Sequence, residues 1–274
     1  MSLDRKDFSQ EREIECTGCS AENTSSVRVS RFIRRLDAYF ATNDLAGAGQ
    51  HLSFWEGEMR ADGDTAGLIT VLNEKVGYFR RTGDRENALR VTREVLSLLD
   101  AFGADRHPAG ATVLINAATT LKFCERPAEG LPLYDRAQAV YRENGKEDTF
   151  EYAALLNNKA ATLCDLARYD EAEACNLRAI DSLQKIGGHD GEIAVTLVNY
   201  AHLLYDRNEN DVPRVEKTLD AAWELLNSPR QPHDANYAFI LSKCAPSLRY
   251  FGRTVEADAL EAVAAEIYAS GAIS

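Results

Sequence analysis

The stretch LNNKAATLCDLARYDEAEACNLRAIDSL, residues 156–183, decides the fold. Its apolar residues fall three and four apart, as in Leu163, Leu166 and Ala167 and again in Leu177, Ile180 and Leu183. That spacing lines one face of a helix. The polar turn LARYDE divides the stretch into two helices, and neither half contains Gly or Pro. Asn157 and Asn158 stand side by side in the first of them. Asn is a poor helix former because its carboxamide competes for nearby backbone groups. Their presence implies partners outside the helix, and the backbone of a bound segment is one candidate.

The stretch repeats. Leu114 opens LINAATTLKFCERPAEGLPLYDRAQAVY 42 residues upstream of Leu156. Ala118 then coincides with Ala160, Gly130 with Ala172, Ala137 with Ala179 and Leu121 with Leu163. One step further back, LNEKVGYFRRTGDRENALRVTREVLSLL starts at Leu72 and sets Ala88 beside Gly130. Another step reaches Ala46 in ATNDLAGAGQHLSF. Downstream, Ala201 and Ala222 fit with a short insertion in the turn DRNENDVP, and Ala245 and Ala257 complete a last unit. Six units of two helices therefore lie between residues 28 and 269. The linkers GADRHPAG, IGGHDGE and PRQPHD separate units. Asp190 and Asp234 stand where an N-cap belongs. Pro132 falls in the first turns of a second helix, where its missing N–H costs little, and Pro246 lies deeper in a first helix and is expected to kink it.

This pattern resembles tetratricopeptide repeats, whose usual unit is about 34 residues with small residues where the two helices touch. The longer unit is similar to the subfamily typified by kinesin light chain, with a His-Pro-x-x-Ala loop followed by Leu-x-Asn-x-Ala. His107, Pro108, Ala111, Leu114, Asn116 and Ala118 carry the likeness in HPAGATVLINAA. His189, Ala194, Leu197, Asn199 and Ala201 carry it in HDGEIAVTLVNYA. HDANYAFILSKCA departs by placing Lys243 where the Asn belongs, and RFIRRLDAYF in the first unit departs most. The resemblance implies an all-α, right-handed superhelical solenoid of helix-turn-helix repeats. The expected division is an N-terminal extension over 1–27, the solenoid over 28–269 and a tail over 270–274. First helices would line a concave side, with second helices behind them.

Such a surface suits an extended protein or peptide ligand. Asn116, Asn158 and Asn199 take the same place in Leu-x-Asn, once per repeat, and Asn73 lies one residue earlier in its own unit. A carboxamide offers both a donor and an acceptor, so a ladder of them can grip a peptide backbone of any sequence, and the resemblance implies such ladders. The same Asn can instead bond between adjacent helices and only set the stacking. On the inner face, Arg28, Arg31, Arg35, Arg80, Arg81, Lys122, Lys243 and Arg249 outnumber Glu74, Asp165 and Asp206, in a chain of formal charge −12. A segregated basic face focuses anionic ligands, and Arg pairs with carboxylates bidentately. The expected ligand is an acidic segment or a free C-terminal carboxylate; a solvated surface with no such preference is the alternative. His202, Tyr205, Phe123 and Tyr250 would add polar lining and apolar contact.

Composition narrows the remaining classes. With 43 acidic and 31 basic residues the chain does not suit nucleic acid or an anionic membrane. No apolar run approaches the roughly 18 residues needed to cross a bilayer. The charged start MSLDRKDFSQEREIE lacks the apolar segment of a secretory signal, and six Cys read as reduced thiols, so the expected location is cytoplasmic. Cys16 and Cys19 form a CxxC pair, but zinc needs further ligands and none is spaced to serve, so no metal or cofactor is expected. No catalytic grouping stands out, and a non-catalytic scaffold or adaptor is the leading expectation. A peptide-pheromone-type receptor, a metal-binding or enzymatic regulator framed by repeats, and a self-assembly module are the alternatives. In the last helix, TVEADALEAVAAEIYA, either Glu256, Asp258, Glu261 and Glu266 cover the end, or a second copy packs there to form a homodimer.

Overall fold

The computed structural model describes residues 22–229 and 231–270. Twelve α-helices account for the regular structure among them, together with a 3-10 turn at Ala104–Arg106. In chain order they are α1 (Glu22–Ala41), α2 (Leu45–Asp62), α3 (Thr65–Thr82), α4 (Arg85–Phe102), α5 (Pro108–Phe123) and α6 (Pro127–Glu143). They continue with α7 (Phe150–Asp165), α8 (Tyr169–Ile186), α9 (Asp190–Arg207), α10 (Val212–Leu226), α11 (Ala235–Tyr250) and α12 (Thr254–Ala269). The protein is thus an all-α repeat solenoid of six helix pairs. Three pairs fall in a compact unit that ends at Asn144, and three in a second that begins at Gly145. In the first unit α1, α3 and α5 lie side by side, with α2 packed against α3 and α4 against α5. The second unit repeats this with α7, α9 and α11 in a row and α8 packed against α9.

Local chemistry sets the turns. α2 and α3 end on Gly63 and Gly83, in left-handed backbone at φ 67° and 76°. The next residues, Asp64 and Asp84, accept hydrogen bonds from the N–H of Gly67 (2.8 Å) and Asn87 (3.1 Å), capping α3 and α4. Further along, Glu125 (φ 62°) and Ala167 (φ 56°) hold the same left-handed position without being glycine. Asp234 caps α11 as expected, accepting from the N–H of Tyr237 at 2.8 Å. Asp190 instead lies inside the first turn of α9, whose cap is His189. α11 runs unbroken through Pro246.

In five of the six pairs the fourth residue of the second helix is small and buried, and in α10 the buried Val215 takes that place. Ala48, Ala88, Ala172 and Ala257 are all fully buried at the fourth position of their helices. Gly130 holds that position in α6, and a Cβ there would sit 2.8 Å from the carbonyl oxygen of Ala118. Ala46, which the 42-residue step places here, is exposed. From cap to cap, Asp44 to Asp84, the first step is 40 residues, so the crossing residue is Ala48.

Polar side chains tie the pairs together. In the first unit His51 donates from Nε2 to the carbonyl oxygen of Phe32 at 3.0 Å and stacks on the Phe32 ring at 5.4 Å. Burial depresses its pKa, opposed by that hydrogen bond and assisted by the charge of Arg35. In the second unit Tyr200 of α9 donates to Glu173 of α8, and Arg214 of α10 donates to both at 2.8 Å. Burial and the Glu173 contact push the Tyr200 hydroxyl up to about 12.

Two substitutions test this packing by urea unfolding. Ala167→Gly removes a left-handed alanine that costs about 1–2 kcal/mol, set against about 0.4–1 kcal/mol of added unfolded-state freedom. A net gain of about 0.5–1 kcal/mol is expected. Gly130→Ala drives a methyl group at the Ala118 carbonyl and is expected to cost about 1–3 kcal/mol. A third test concerns pH. The folded state keeps His51 neutral, so the unfolded state binds the extra proton first. Stability is therefore full above the ordinary His pKa of about 6.5 and is lost as pH falls through it. His51→Phe is expected to flatten the fall in melting temperature between about pH 7.5 and 5.5 relative to the parent.

Candidate interaction face

The sequence places an Asn set together with charged and aromatic residues on a common inner face, and the structure separates them into two kinds. Asn73, Asn116, Arg80, Arg81 and Lys122 belong to the first unit. There Asn116, only 8% exposed, donates from Nδ2 to Oδ1 of Asn73 at 3.0 Å, joining α5 to α3. Arg80 is equally buried, and its Nη1 donates to the backbone oxygen of Asn116 (3.3 Å) and to Thr120 Oγ1 (3.4 Å). Arg81 donates from Nη2 to Asn43 Oδ1 at 3.0 Å and lies over the Phe40 ring at 4.8 Å. Lys122 is half-buried near the end of α5. In this unit the expected ladder is turned into the stack: Asn116 donates to Asn73 while its own Oδ1 is buried without a hydrogen-bond partner among the described residues, and Arg80 closes the same joint.

The second unit divides the work differently. Asn157 donates from Nδ2 to Thr196 Oγ1 at 2.9 Å, which joins α7 to α9. Asn158, its neighbour in sequence, is half-buried, and its side chain makes no hydrogen bond among the described residues. Asn199 on α9 is exposed and its carboxamide is likewise unbonded among the described residues. Ala160 and Ala201, two positions after each Asn, are buried, so Asn158 and Asn199 hold one frame position on adjacent helices. Lys243 holds it on α11, with its Nζ over the Phe239 ring at 5.1 Å.

One turn and two turns beyond Asn199 on α9 come His202 and Asp206, with Tyr205 between them. His202 packs against Tyr250 and Phe251, and Tyr205 meets the same two rings. Burial lowers the His202 pKa, against a smaller opposing effect of Asp206. Phe251 is the member that sequence reasoning missed. The adjacent aromatics Tyr250-Phe251 ahead of Gly252 were its only signal.

Four of the eight basic residues expected on the inner face are engaged within the fold. Arg28 pairs with Asp62 and Glu58, and Arg249 pairs with Asp258 and Glu261 on α12 at 2.8 Å each. Arg80 and Arg81 are occupied as described above. In the second unit the residues in line with Asn158 and Asn199 are instead acidic: Glu151 and Asp165 on α7, Glu192 and Asp206 on α9. The reason is distance in sequence, since each guanidinium meets its partner on another helix.

Among the described residues no group of His, Cys, Asp and Glu is arranged to hold a metal ion, and no helix is long and apolar enough to cross a membrane. Cys16 and Cys19 lie outside the described residues. At the other end, Val255 and Tyr268 are exposed on α12 beside Asp258 and Glu261.

A family model described as tetratricopeptide repeat matches residues 151–212, which span α7 to the start of α10. No curated protein matches the chain. Among solved structures, BtubC (BKLC) from P. vanneervenii is 19% identical with a TM-score of 0.56, covering 84% of this chain and 91% of its own. A kinesin-light-chain-type protein of nearly identical TPR-like repeats from Podosopora anserina is 12% identical with a TM-score of 0.54, covering 73% and 94%. At these identities the likeness is one of fold. The tetratricopeptide-repeat model thus matches part of the second unit, and the solved structures share the fold of stacked helix pairs.

Proposed function

We propose that this protein is a non-catalytic interaction module that holds an extended segment of a partner along α7, α9 and α11. Repeats of this kind stack helix pairs into extended binding surfaces, and the fold is that of a protein-interaction scaffold. What supports the finer reading is the contrast between the carboxamides. Asn73, Asn116 and Asn157 are tied into joints between helices, where the unbonded Oδ1 atoms of Asn116 and Asn157 are buried, whereas the carboxamides of Asn158 and Asn199, at one frame position of neighbouring helices, make no hydrogen bond among the described residues. A peptide backbone presents N–H and C=O groups in alternation, and each such carboxamide can bond one of each. Recognition of this kind reads the backbone and leaves side-chain choice to neighbouring groups.

Screening an array of short extended peptides against the full chain tests the reading. Binding is expected, and the Asn158→Ala/Asn199→Ala double variant should weaken it roughly tenfold, at about 0.5–1.5 kcal/mol per hydrogen bond. Asn73→Ala is the control, lowering the melting temperature while leaving the affinity of the folded protein unchanged. An array without binders, or a double variant that binds as well as the parent, removes the proposal.

A further inference from the structure

At the C-terminal ends of α9 and α11 the second unit gathers four rings beside a carboxylate. The His202 ring lies 4.7 Å from Phe251 and 5.3 Å from Tyr250. Tyr205 stands edge-on to Tyr250, at 5.9 Å and 90°, and lies 5.7 Å from Phe251. Tyr250 is 62% exposed, an unusual degree for an aromatic residue that has neighbours to pack on. Phe251, Tyr205 and His202 are half-buried beneath it. The result is a corner of ring faces and edges open to solvent on one side.

Asp206 follows Tyr205 directly and lies one turn beyond His202 on the same helix. It is exposed and makes no ion pair among the described residues. Its charge reaches the rings: it helps to raise the Tyr250 hydroxyl pKa, after burial and Tyr205, and it works against the lowering of His202. The cation nearest in sequence to Tyr250, Arg249, is held on α12 by Asp258 and Glu261. Lys243 lies on the Phe239 ring, two turns before Tyr250. The carboxylate at the corner is therefore uncompensated.

Ring faces attract cations, and more so where a carboxylate supplies the counter-charge. A neutral side chain gains only apolar contact in such a corner, and an anionic one is repelled. We propose that Tyr205, Tyr250 and Asp206 form a subsite for a cationic side chain, lysine or arginine, of the bound segment. The inference rests on the interaction reading above, because Asn199, His202 and Asp206 recur at helical spacing along one stripe of α9. It replaces the acidic ligand expected from the sequence with a basic one.

The same peptide array decides it. Peptides captured by the parent are expected to carry Lys or Arg at a recurrent position. Resynthesis with norleucine for Lys, or citrulline for Arg, should weaken them. Asp206→Asn should weaken the cationic peptides roughly threefold, and Tyr250→Ala by a similar factor. Both sites are exposed, so circular dichroism should show an unchanged fold. Asp206→Lys should shift the captured set toward Glu and Asp. Peptides without a recurrent cation, or an Asp206→Asn variant with unaltered affinities, overturn the subsite. If those peptides still lose affinity in Asn158→Ala/Asn199→Ala, the subsite alone has failed. If the array captures nothing, both proposals fall together.

Discussion

Two helices pack into one repeat most closely where the side chain between them is small. In this chain Ala48, Ala88, Gly130, Ala172 and Ala257 are buried at the fourth residue of the second helix in five pairs, and Val215 holds that place in the sixth. Gly130 marks the limit, since even a methyl group would meet the Ala118 carbonyl. Everything else in the architecture follows from that contact. It fixes the angle within each pair and presents one side of the first helix to the next first helix. The opposite side is left to the solvent.

The joint between successive first helices is polar, and its chemistry differs from place to place. In the first unit Asn116, Asn73 and Arg80 interlock, and a guanidinium is buried in the process. Burying that charge costs several kcal/mol unless it is well bonded. Its acceptors on α5 therefore commit α3 and α5 to one relative register. In the second unit Asn157 donates to Thr196 between α7 and α9, and Asn236 donates to Glu192 between α11 and α9. These joints leave Asn158 and Asn199 available. The paired Asn that look redundant in sequence differ in the structure: Asn157 bonds into the stack, and the Asn158 carboxamide makes no hydrogen bond among the described residues.

Much of this was legible in advance. Helical spacing, the 42-residue step and the recurrent small residues specify six pairs, and six pairs are present. The step broke at the first unit, where a shorter connection moves the crossing residue from Ala46 to Ala48, because a loop can lose residues without disturbing the helix that follows its cap. The candidate site was legible only in outline. Frame position identified the Asn set correctly as residues on the first-helix faces, yet it could not separate Asn116, which is buried and bonded, from Asn199, which is exposed. Charge counting failed for the same reason. Arg28, Arg80 and Arg249 look alike in a list, but their neighbours are Asp62, Thr120 and Glu261.

By itself, the sequence determined the helices and their pairing, because periodicity, caps and side-chain size act over a single turn or a single pair. Tertiary structure alone decided which polar groups are free to meet a partner. The acceptors for Arg80 and Asn157 lie 36 and 39 residues away. Whether a carboxamide or guanidinium is spent or available depends on those distant contacts, and no local pattern encodes them.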